Sequence, residues 1–279
     1  MSKILIVGLG LIGGSYAKGL TKEGYEVYAY NRSIEALDYA KKNNIIVDGT
    51  NEFSKDFVCK FDRIIFSLYP KIFKQYINDY GDYIKDNAII SDVTGVKEAI
   101  TYFIQDKLSD RVEFIPAHPM AGKEVYGIKN ADEKIFENAN YIITPTEKNT
   151  DRGIEFAKEI GTALKFRKIS ILSPKEHDEM IAFLSQLTHC IAVSLMTCKD
   201  SIYLKDYTGD SFRDLTRIAN INENMWTELF LLNKTALLKE IDSFIDSMSA
   251  LRDYIFNGDE ENIKNMMRLS TMRRLYFNK

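Results

Sequence analysis

The sequence predicts an N-terminal α/β domain with a mostly parallel sheet, followed by a domain made of helices alone. Three observations support this fold class. The 279 residues are 45% hydrophobic, which allows a large core to be buried. Short apolar runs alternate with helical patterns in the first half of the chain. After Pro174 the strand-like runs stop and helical patterns continue.

The α/β domain is predicted to consist of short strands separated by amphipathic helices. Strands are expected near Ile4–Val7, Val27–Tyr30, Ile64–Ser67, Ala88–Ser91, Val112–Ile115 and Tyr141–Thr144. A helix is expected over Thr150–Ile160, and one more strand near Leu164–Arg167. This alternation is typical of a parallel sheet wound by helices.

A long helix is predicted to begin at Ser173. Ser173 suits the N-cap position, Pro174 suits the first helical position, and Glu176 adds negative charge to the first turn. Apolar residues recur at helical spacing further along the chain, at Ile241, Phe244, Ile245, Met248, Leu251 and Ile255. The domain boundary is therefore predicted near residue 172, with an α/β domain over 1–172 and a helical domain over 173–279.

Composition argues against several classes of protein. With 37 basic and 40 acidic residues the formal net charge is -3, so no overall field attracts nucleic acid or an anionic membrane. Cys59, Cys190 and Cys198 lack the spacing of a zinc site or a disulfide framework. The first apolar strand begins too early for a signal peptide or a membrane span. We expect a cytoplasmic protein with reduced thiols and no metal site.

A glycine-rich segment, GLGLIG, lies between the first predicted strand and a helix. This context predicts a Rossmann domain that binds a dinucleotide, because the helix start faces the pyrophosphate. A glycine-rich turn that binds nothing is the alternative. The predicted cofactor-binding residues in this loop and after the third strand are Gly8, Gly10, Leu11, Ile12, Gly13, Ser67 and Leu68.

The end of the second predicted strand bears on the choice of cofactor. NAD-selective folds carry Asp or Glu there, which binds the ribose hydroxyl, whereas this chain carries Asn31. Arg32 and Ser33 follow, a cation and a hydroxyl where a 2'-phosphate would lie. The sequence therefore favours NADP over NAD. If Arg32 instead stacks on adenine or points into solvent, the choice stays open.

Two loops are predicted to face the nicotinamide, because ligands bind beyond the carboxyl ends of parallel strands. They read DVTGVK, over Asp92–Lys97, and HPMAGKE, over His118–Glu124. His118 is the candidate general base, since the pKa of a free imidazole lies within the working range of pH. A structural histidine is the alternative, but the position directly after a strand favours chemistry.

Several separate motifs resemble the prephenate and arogenate dehydrogenase family over nearly the whole chain. They are GLGLIGGS at Gly8–Ser15, DVTGVK, HPMAGKE, SQLTH at Ser185–His189, FRDLTRIA at Phe212–Ala219, and the tryptophan Trp226. The HPMAG and TRIA segments are the most specific. The resemblance implies a prephenate dehydrogenase of tyrosine biosynthesis, a homodimer that decarboxylates prephenate oxidatively to 4-hydroxyphenylpyruvate and passes hydride to NADP or NAD.

The resemblance also implies a role for individual residues. His118 matches the base, and Arg217 matches an arginine whose planar fork grips a carboxylate. Pairing of Arg217 with a neighbour such as Asp214 is the alternative. Arg213 is expected near the pyruvyl side chain of the substrate, and whether it acts across a dimer interface is open.

Further substrate contacts are implied for Glu124 at the pocket entrance, for His189 and for Trp226. The alternatives are a surface carboxylate for Glu124 and core residues for the other two. Many relatives carry Gly-Ser where this chain reads Thr94-Gly95. Gly95 thus replaces a serine that contacts the substrate, and Thr94 is expected to supply that hydroxyl.

Other functions stay open at this point. Lys123 stands where relatives commonly carry a small polar residue, so arogenate is an alternative substrate. Another NADP-dependent β-hydroxyacid dehydrogenase would share the fold, but such enzymes usually rely on a lysine in the second domain. A non-catalytic NADP(H)-sensing protein is a third possibility, against which the presence of His118 and Arg217 counts.

Overall fold

The structure, a computed structural model, describes residues 3–200 and 202–277. A parallel sheet of six strands in the order β3-β2-β1-β4-β5-β6 forms its centre. The strands are β1 Lys3–Val7, β2 Glu26–Tyr30, β3 Asp48–Thr50, β4 Arg63–Phe66, β5 Ile89–Asp92 and β6 Glu113–Ile115. The strand order reverses between β1 and β4, and ligands of such sheets bind in the crevice at this point.

Helices cover both faces of this sheet. They are α1 Leu11–Lys22, α2 Ile34–Lys42, α3 Lys55–Val58, α4 Pro70–Tyr80, α5 Glu98–Lys107 and α6 Asp151–Ala163. Ile4 and Ile6 of β1 lie in one core cluster, and Leu5 and Val7 lie in another. Successive side chains of a strand point to opposite faces, so β1 reads as a continuous apolar run because both its faces are buried.

A second sheet of three strands follows, in the order β7-β8-β9. It consists of β7 Ala117–Pro119, β8 Asn140–Ile143 and β9 Lys168–Ile171, with β7 antiparallel and β9 parallel to β8. The strand predicted near Leu164–Arg167 is wrong. These residues form a turn after α6, in which Lys165 adopts a φ of 59° and the side chain of Phe166 is buried. The sequence also gave no signal for β3, which is short and contains Gly49.

The long helix predicted at Ser173 is confirmed. Ser173 and Glu176 form a capping box, with each side chain bonded to the other residue's backbone. The helix consists of α7 Pro174–Ile181, a π-helical segment Ala182–Leu187 and α8 Thr188–Thr197. After it come α9 Asp210–Thr216 and α10 Glu223–Leu232.

Residues Pro174–Thr197 form a helix that is long and apolar enough to cross a membrane, by length and composition alone. Polar residues of this segment are nevertheless buried in hydrogen bonds to other parts of the protein. The side chain of Gln186 donates to the carbonyl oxygen of Leu229 at 3.0 Å, and the Asp178 carboxylate accepts from backbone N–H groups. Such pairing is typical of a core helix of a folded domain.

The chain divides into two compact units, residues 1–233 and 234–279. The second unit contains α11 Lys234–Phe256 and α12 Glu260–Arg274. The apolar stripe predicted from the sequence lies on α11, where Ile245, Met248 and Ile255 are 52%, 52% and 62% exposed. The functional boundary expected near residue 172 stays a prediction.

Candidate active site

The glycine-rich loop makes a tight turn between β1 and α1. Gly8 has a φ of 101°, and a Cβ placed on it would lie 2.5 Å from the carbonyl oxygen of Ser67. A Cβ on Gly13 would lie 1.9 Å from the carbonyl oxygen of Gly8. At Gly10 the corresponding position has nothing within 4 Å, so this side of the loop is open to a ligand.

The first turn of α1 presents backbone amides on that open side. Gly10 is the N-cap and no side chain of the described chain caps the helix. The N–H groups of Leu11, Ile12 and Gly13 therefore lack helical partners and suit a phosphate group. Leu68 adjoins the loop from the end of β4, where its side chain would meet a Cβ on Gly8 at 3.0 Å. These residues fit the pyrophosphate of a dinucleotide.

The residues after β2 are partly engaged in local hydrogen bonds. The Asn31 side chain accepts from the backbone N–H of Leu9 at 3.0 Å and donates to the carbonyl oxygen of Ser33 at 3.2 Å. Ser33 is the N-cap of α2, and its hydroxyl donates to the Glu35 carboxylate at 2.6 Å. Arg32 is exposed. Asn31 thus holds the glycine-rich loop in place, and Arg32 is the exposed cation at this edge.

His118 lies on β7 and is half-buried. Its Nδ1 is 2.9 Å from Nε2 of His177, and its own Nε2 lies 3.8 Å from where a Cβ on Gly95 would be. Burial lowers the pKa of His118 well below 6.5, and the nearby His177 and Lys97 lower it further. The imidazole is therefore neutral at pH 7, as a general base must be.

A buried ion pair holds Ala117, the strand residue before His118. Nζ of Lys97 lies 2.8 Å from the Asp92 carboxylate, and both side chains are fully buried. Lys97 also donates to the carbonyl oxygen of Ala117, while Asp92 accepts from the backbone N–H of Ala117 at 3.2 Å. The DVTGVK segment thus fixes the backbone on both sides of Ala117, directly before His118.

The hydroxyl of Thr94 belongs to this buried group. It donates to the Asp92 carboxylate and lies 3.0 Å from the carbonyl oxygen of Val96, and Thr94 is 4% exposed. The expectation that Thr94 replaces the missing serine hydroxyl is therefore not what the geometry favours, because this hydroxyl already serves Asp92. Gly95 is the residue of this loop that adjoins His118.

Arg217 forms an ion pair with Glu124 at 2.5 Å, rather than with Asp214. Glu124 ends the segment that begins at His118, so the guanidinium and the imidazole border the same loop. His189 stacks on Trp226 with ring centroids 3.7 Å apart, and its Nδ1 donates to the carbonyl oxygen of Ser185 at 2.9 Å. Burial lowers the pKa of His189. The negative charge of Glu124 raises this pKa, and the positive charge of Arg217 lowers it.

Helix α10 contacts Gly95 near His118 and also carries Trp226, the partner of His189. A Cβ on Gly95 would lie 3.6 Å from the side chain of Leu229, and Trp226 lies on the same helix. Arg213 is placed differently. It is exposed and pairs with Asp210 on its own helix, and among the described contacts none joins it to the other site residues.

Sequence reasoning missed four residues of the site. His177 contacts His118, Asp178 contacts His177, and Lys97 and Asp92 bond to the backbone of Ala117. The adjacent His and Asp in the first turns of a predicted helix were the available signal. The DVTGVK motif was identified, but spacing alone did not show that its charged residues pair with each other.

Two family models match the chain. One, described as "Prephenate dehydrogenase, nucleotide-binding domain", matches residues 16–182, and "Prephenate dehydrogenase, dimerization domain" matches residues 173–269. A curated prephenate dehydrogenase of Bacillus subtilis is 31% identical over 269 residues, which cover 93% of this chain and 72% of the relative.

Solved structures agree over the whole fold. The prephenate dehydrogenase from A. aeolicus, in complex with hydroxyphenyl propionate and NAD+, gives a TM-score of 0.90 at 28% identity and covers 100% of this chain and 99% of its own. Synechocystis arogenate dehydrogenase gives 0.84 at 25% identity, covering 99% and 100%. The predicted fold class and the resemblance are confirmed. The chain therefore belongs to the prephenate and arogenate dehydrogenase family of nicotinamide-dependent oxidoreductases.

Proposed function

We propose that the protein oxidises and decarboxylates prephenate to 4-hydroxyphenylpyruvate in tyrosine biosynthesis, in the cytoplasm. The observation that carries this proposal is the placement of His118. Its Nε2 faces Gly95, and its loop also holds Glu124, the partner of Arg217. A base for a hydroxyl and a cation for a carboxylate thus border one loop, within a chain that has a dinucleotide cradle.

Two residues are proposed to act on the substrate directly. His118 takes the proton of the ring hydroxyl at Nε2, and Arg217 holds a substrate carboxylate by two parallel hydrogen bonds. The bound nicotinamide supplies the hydride acceptor. The Arg217–Glu124 pair is exposed, with side chains 64% and 38% accessible, so it contributes only about 0–1 kcal/mol. A substrate carboxylate can therefore replace Glu124 on the guanidinium, which makes Glu124 suited to the pocket entrance.

His189, Trp226 and Gly95 are proposed to line the substrate. The stacked imidazole and indole form a flat wall, and Gly95 leaves space beside the base. Thr94 is proposed to act indirectly, through Asp92. Arg213 is proposed to contact the substrate only in the assembled protein, because its present partners are Asp210 on its own helix and Thr208 just before that helix.

The direct test is to mix the purified protein with prephenate or arogenate and with NAD or NADP, and to follow reduced nicotinamide. We expect the highest kcat/KM with prephenate. Absence of turnover in all four mixtures would overturn the proposal. Arogenate is the second candidate, since the Synechocystis arogenate dehydrogenase covers the whole fold. Lys123 pairs with Asp132 at 3.1 Å, and no described contact joins it to His118 or Arg217.

NADP is proposed as the preferred cofactor, with NAD as the alternative. Asn31 gives no negative charge at the ribose, and Arg32 is exposed beside it. Asn31→Asp should raise the KM for NADP and leave that for NAD unchanged or lower, because a carboxylate keeps the bond to Leu9 but repels a 2'-phosphate. Asn43→Asp, at the other end of α2, is the matched control. Equal changes in both KM values would contradict NADP selectivity at this site.

Arg217→Lys should raise the KM for the substrate about 10–100-fold with a smaller change in kcat. An ammonium group keeps the charge but cannot make two parallel hydrogen bonds to a carboxylate. Steady-state kinetics measures both constants. Arg111→Lys, which alters an exposed pair with Asp86, is the control and should leave both unchanged. A KM within twofold of the original would remove Arg217 from the binding site.

A homodimer built through the helical region is proposed as the working form. The match to a dimerization domain over 173–269 and the exposed apolar side chains of α11 support it. Sedimentation velocity at micromolar concentration should give about twice the chain mass of 32.1 kDa. Met248→Glu should shift the mass toward that of the single chain. A single-chain mass for the unaltered protein would contradict the dimer.

A further inference from the structure

Two buried side chains lie behind the base and form a line with it. Nδ1 of His118 is 2.9 Å from Nε2 of His177, and Nδ1 of His177 is 2.7 Å from the Asp178 carboxylate. The two rings meet edge to face, with centroids 5.1 Å apart. His177 is 0% and Asp178 2% exposed. Polar groups so deeply buried need partners, and these residues supply one another.

The carboxylate of Asp178 determines where the protons lie. Its two oxygens accept from the backbone N–H of Lys97 at 2.8 Å and of Glu98 at 2.9 Å, at the start of α5. Both oxygens of this carboxylate therefore act as acceptors. Nδ1 of His177 must then donate to it, so Nε2 of His177 accepts. Nδ1 of His118 is therefore the donor, and its Nε2 keeps a free lone pair.

Other charged groups around the two imidazoles come from β5 and the loop after it. Lys97 lies near both rings, and Asp92 pairs with Lys97. Burial and the Lys97 charge lower the pKa of His177, while Asp178 and Asp92 raise it. Lys97 and Asp92 largely offset each other, so Asp178 is the anion that acts on the line of imidazoles.

We propose that His177 and Asp178 are positioning residues, which fix His118 in the tautomer protonated at Nδ1 and aim Nε2 at the substrate hydroxyl. The inference rests on the proposed function for its kinetic consequences. When the hydroxyl proton moves to Nε2, His118 becomes a cation that donates its Nδ1–H to His177. The Asp178 anion stabilises this cation through the intervening ring, as a carboxylate does behind a catalytic histidine.

Asp178→Asn is the decisive variant. Oδ1 of Asp178 accepts from both His177 and the backbone N–H of Lys97, so the amide oxygen of the variant takes that position, and the anion behind the two imidazoles is lost. We expect kcat to fall roughly 10²-fold with KM within threefold, and the acidic limb of the kcat/KM profile to move to lower pH. Glu179→Gln, at the exposed neighbour on α7, is the matched control and should leave kcat and the pH profile unchanged. An unchanged kcat and pH profile in Asp178→Asn would overturn the proposal.

A pair of variants at His177 separates positioning from folding. Gln places an acceptor where Nε2 of His177 lies, so His177→Gln should keep about a tenth or more of kcat, whereas His177→Leu should lose roughly 10²-fold. Equal kcat values for the two variants would contradict the proposal, provided that thermal unfolding shows both folded.

A readout independent of turnover distinguishes this inference from the proposed function. The ¹⁵N chemical shifts of His118, assigned by comparison with His118→Asn, report which ring nitrogen carries the proton. We expect a protonated Nδ1 and a bare Nε2 at pH 7 in the unaltered protein, and loss of this preference in His177→Leu, which offers Nδ1 no acceptor. An unchanged tautomer in His177→Leu would overturn the inference even if prephenate is the substrate. The expected loss would support it even if no substrate is turned over.

Discussion

Replacing His118 with Asn should lower kcat about 10²–10⁴-fold while the dissociation constant of the substrate changes little. The asparagine amide can still reach His177, but no group remains at the position of Nε2 to take the hydroxyl proton. Binding should persist because it depends on Arg217 and on the wall formed by His189 and Trp226.

Steady-state rates and an equilibrium titration of substrate measure the two quantities separately. Cofactor binding, followed by fluorescence, shows whether the glycine-rich loop is intact in the variant. Turnover within a few-fold of the original protein would exclude His118 as the base. In the unaltered protein, the lowered pKa of His118 predicts that kcat/KM declines only below pH 6.5, since a base is lost when it becomes protonated.

Lys97→Met should destabilise the protein by about 3–5 kcal/mol. The substitution removes the cation from a fully buried pair and leaves the Asp92 carboxylate without its partner, 2.8 Å away in the unaltered protein. The backbone of Ala117 also loses its bond to Nζ, so the strand that carries His118 should loosen. Denaturant unfolding followed by circular dichroism measures the change as a lower midpoint.

The dependence on pH tests the physical reason for this loss. Without Lys97, the variant buries a carboxylate that has no cation beside it, and a buried carboxyl group costs less free energy when it is neutral. The deficit of Lys97→Met should therefore shrink toward acid pH. Arg111→Met, which breaks an exposed pair with Asp86, should change stability by less than about 0.5 kcal/mol at any pH. If Lys97→Met lowers the free energy of unfolding only slightly, the Lys97–Asp92 pair contributes little to stability.

Features of the site that depend on neighbouring residues in the sequence were predictable. The turn at Gly8, the packing at Gly13 and the helix start at Ser173 each follow from a local conformational requirement. His118 was identified because it follows a strand of a parallel sheet. The strand near Leu164–Arg167 was wrong, since the apolar Leu164 and Phe166 pack from a turn, and periodicity does not distinguish a buried turn from a strand.

Pairings between distant parts of the chain could not be predicted. Three contacts join separate elements: His118 with His177, the Asp178 carboxylate with backbone N–H groups at the start of α5, and Arg217 with Glu124. Thr94 is an exception at short range. Its hydroxyl was expected in the substrate site but donates to Asp92, two residues away, and the sequence did not show that the Asp92 carboxylate is buried against Lys97.

The long helix that contains the π-helical segment Ala182–Leu187 contacts residues of the candidate site on both sides of that segment. His177, in the first turns of this helix, contacts His118. After the π-helical segment, His189 stacks on the indole of Trp226. A π-helical turn changes the angular register of a helix, so the two histidines need not share the face that uninterrupted α-helical spacing would give them. Deleting one residue from this segment would rotate one histidine relative to the other, so the contact with His118 and the stacking on Trp226 would no longer both form.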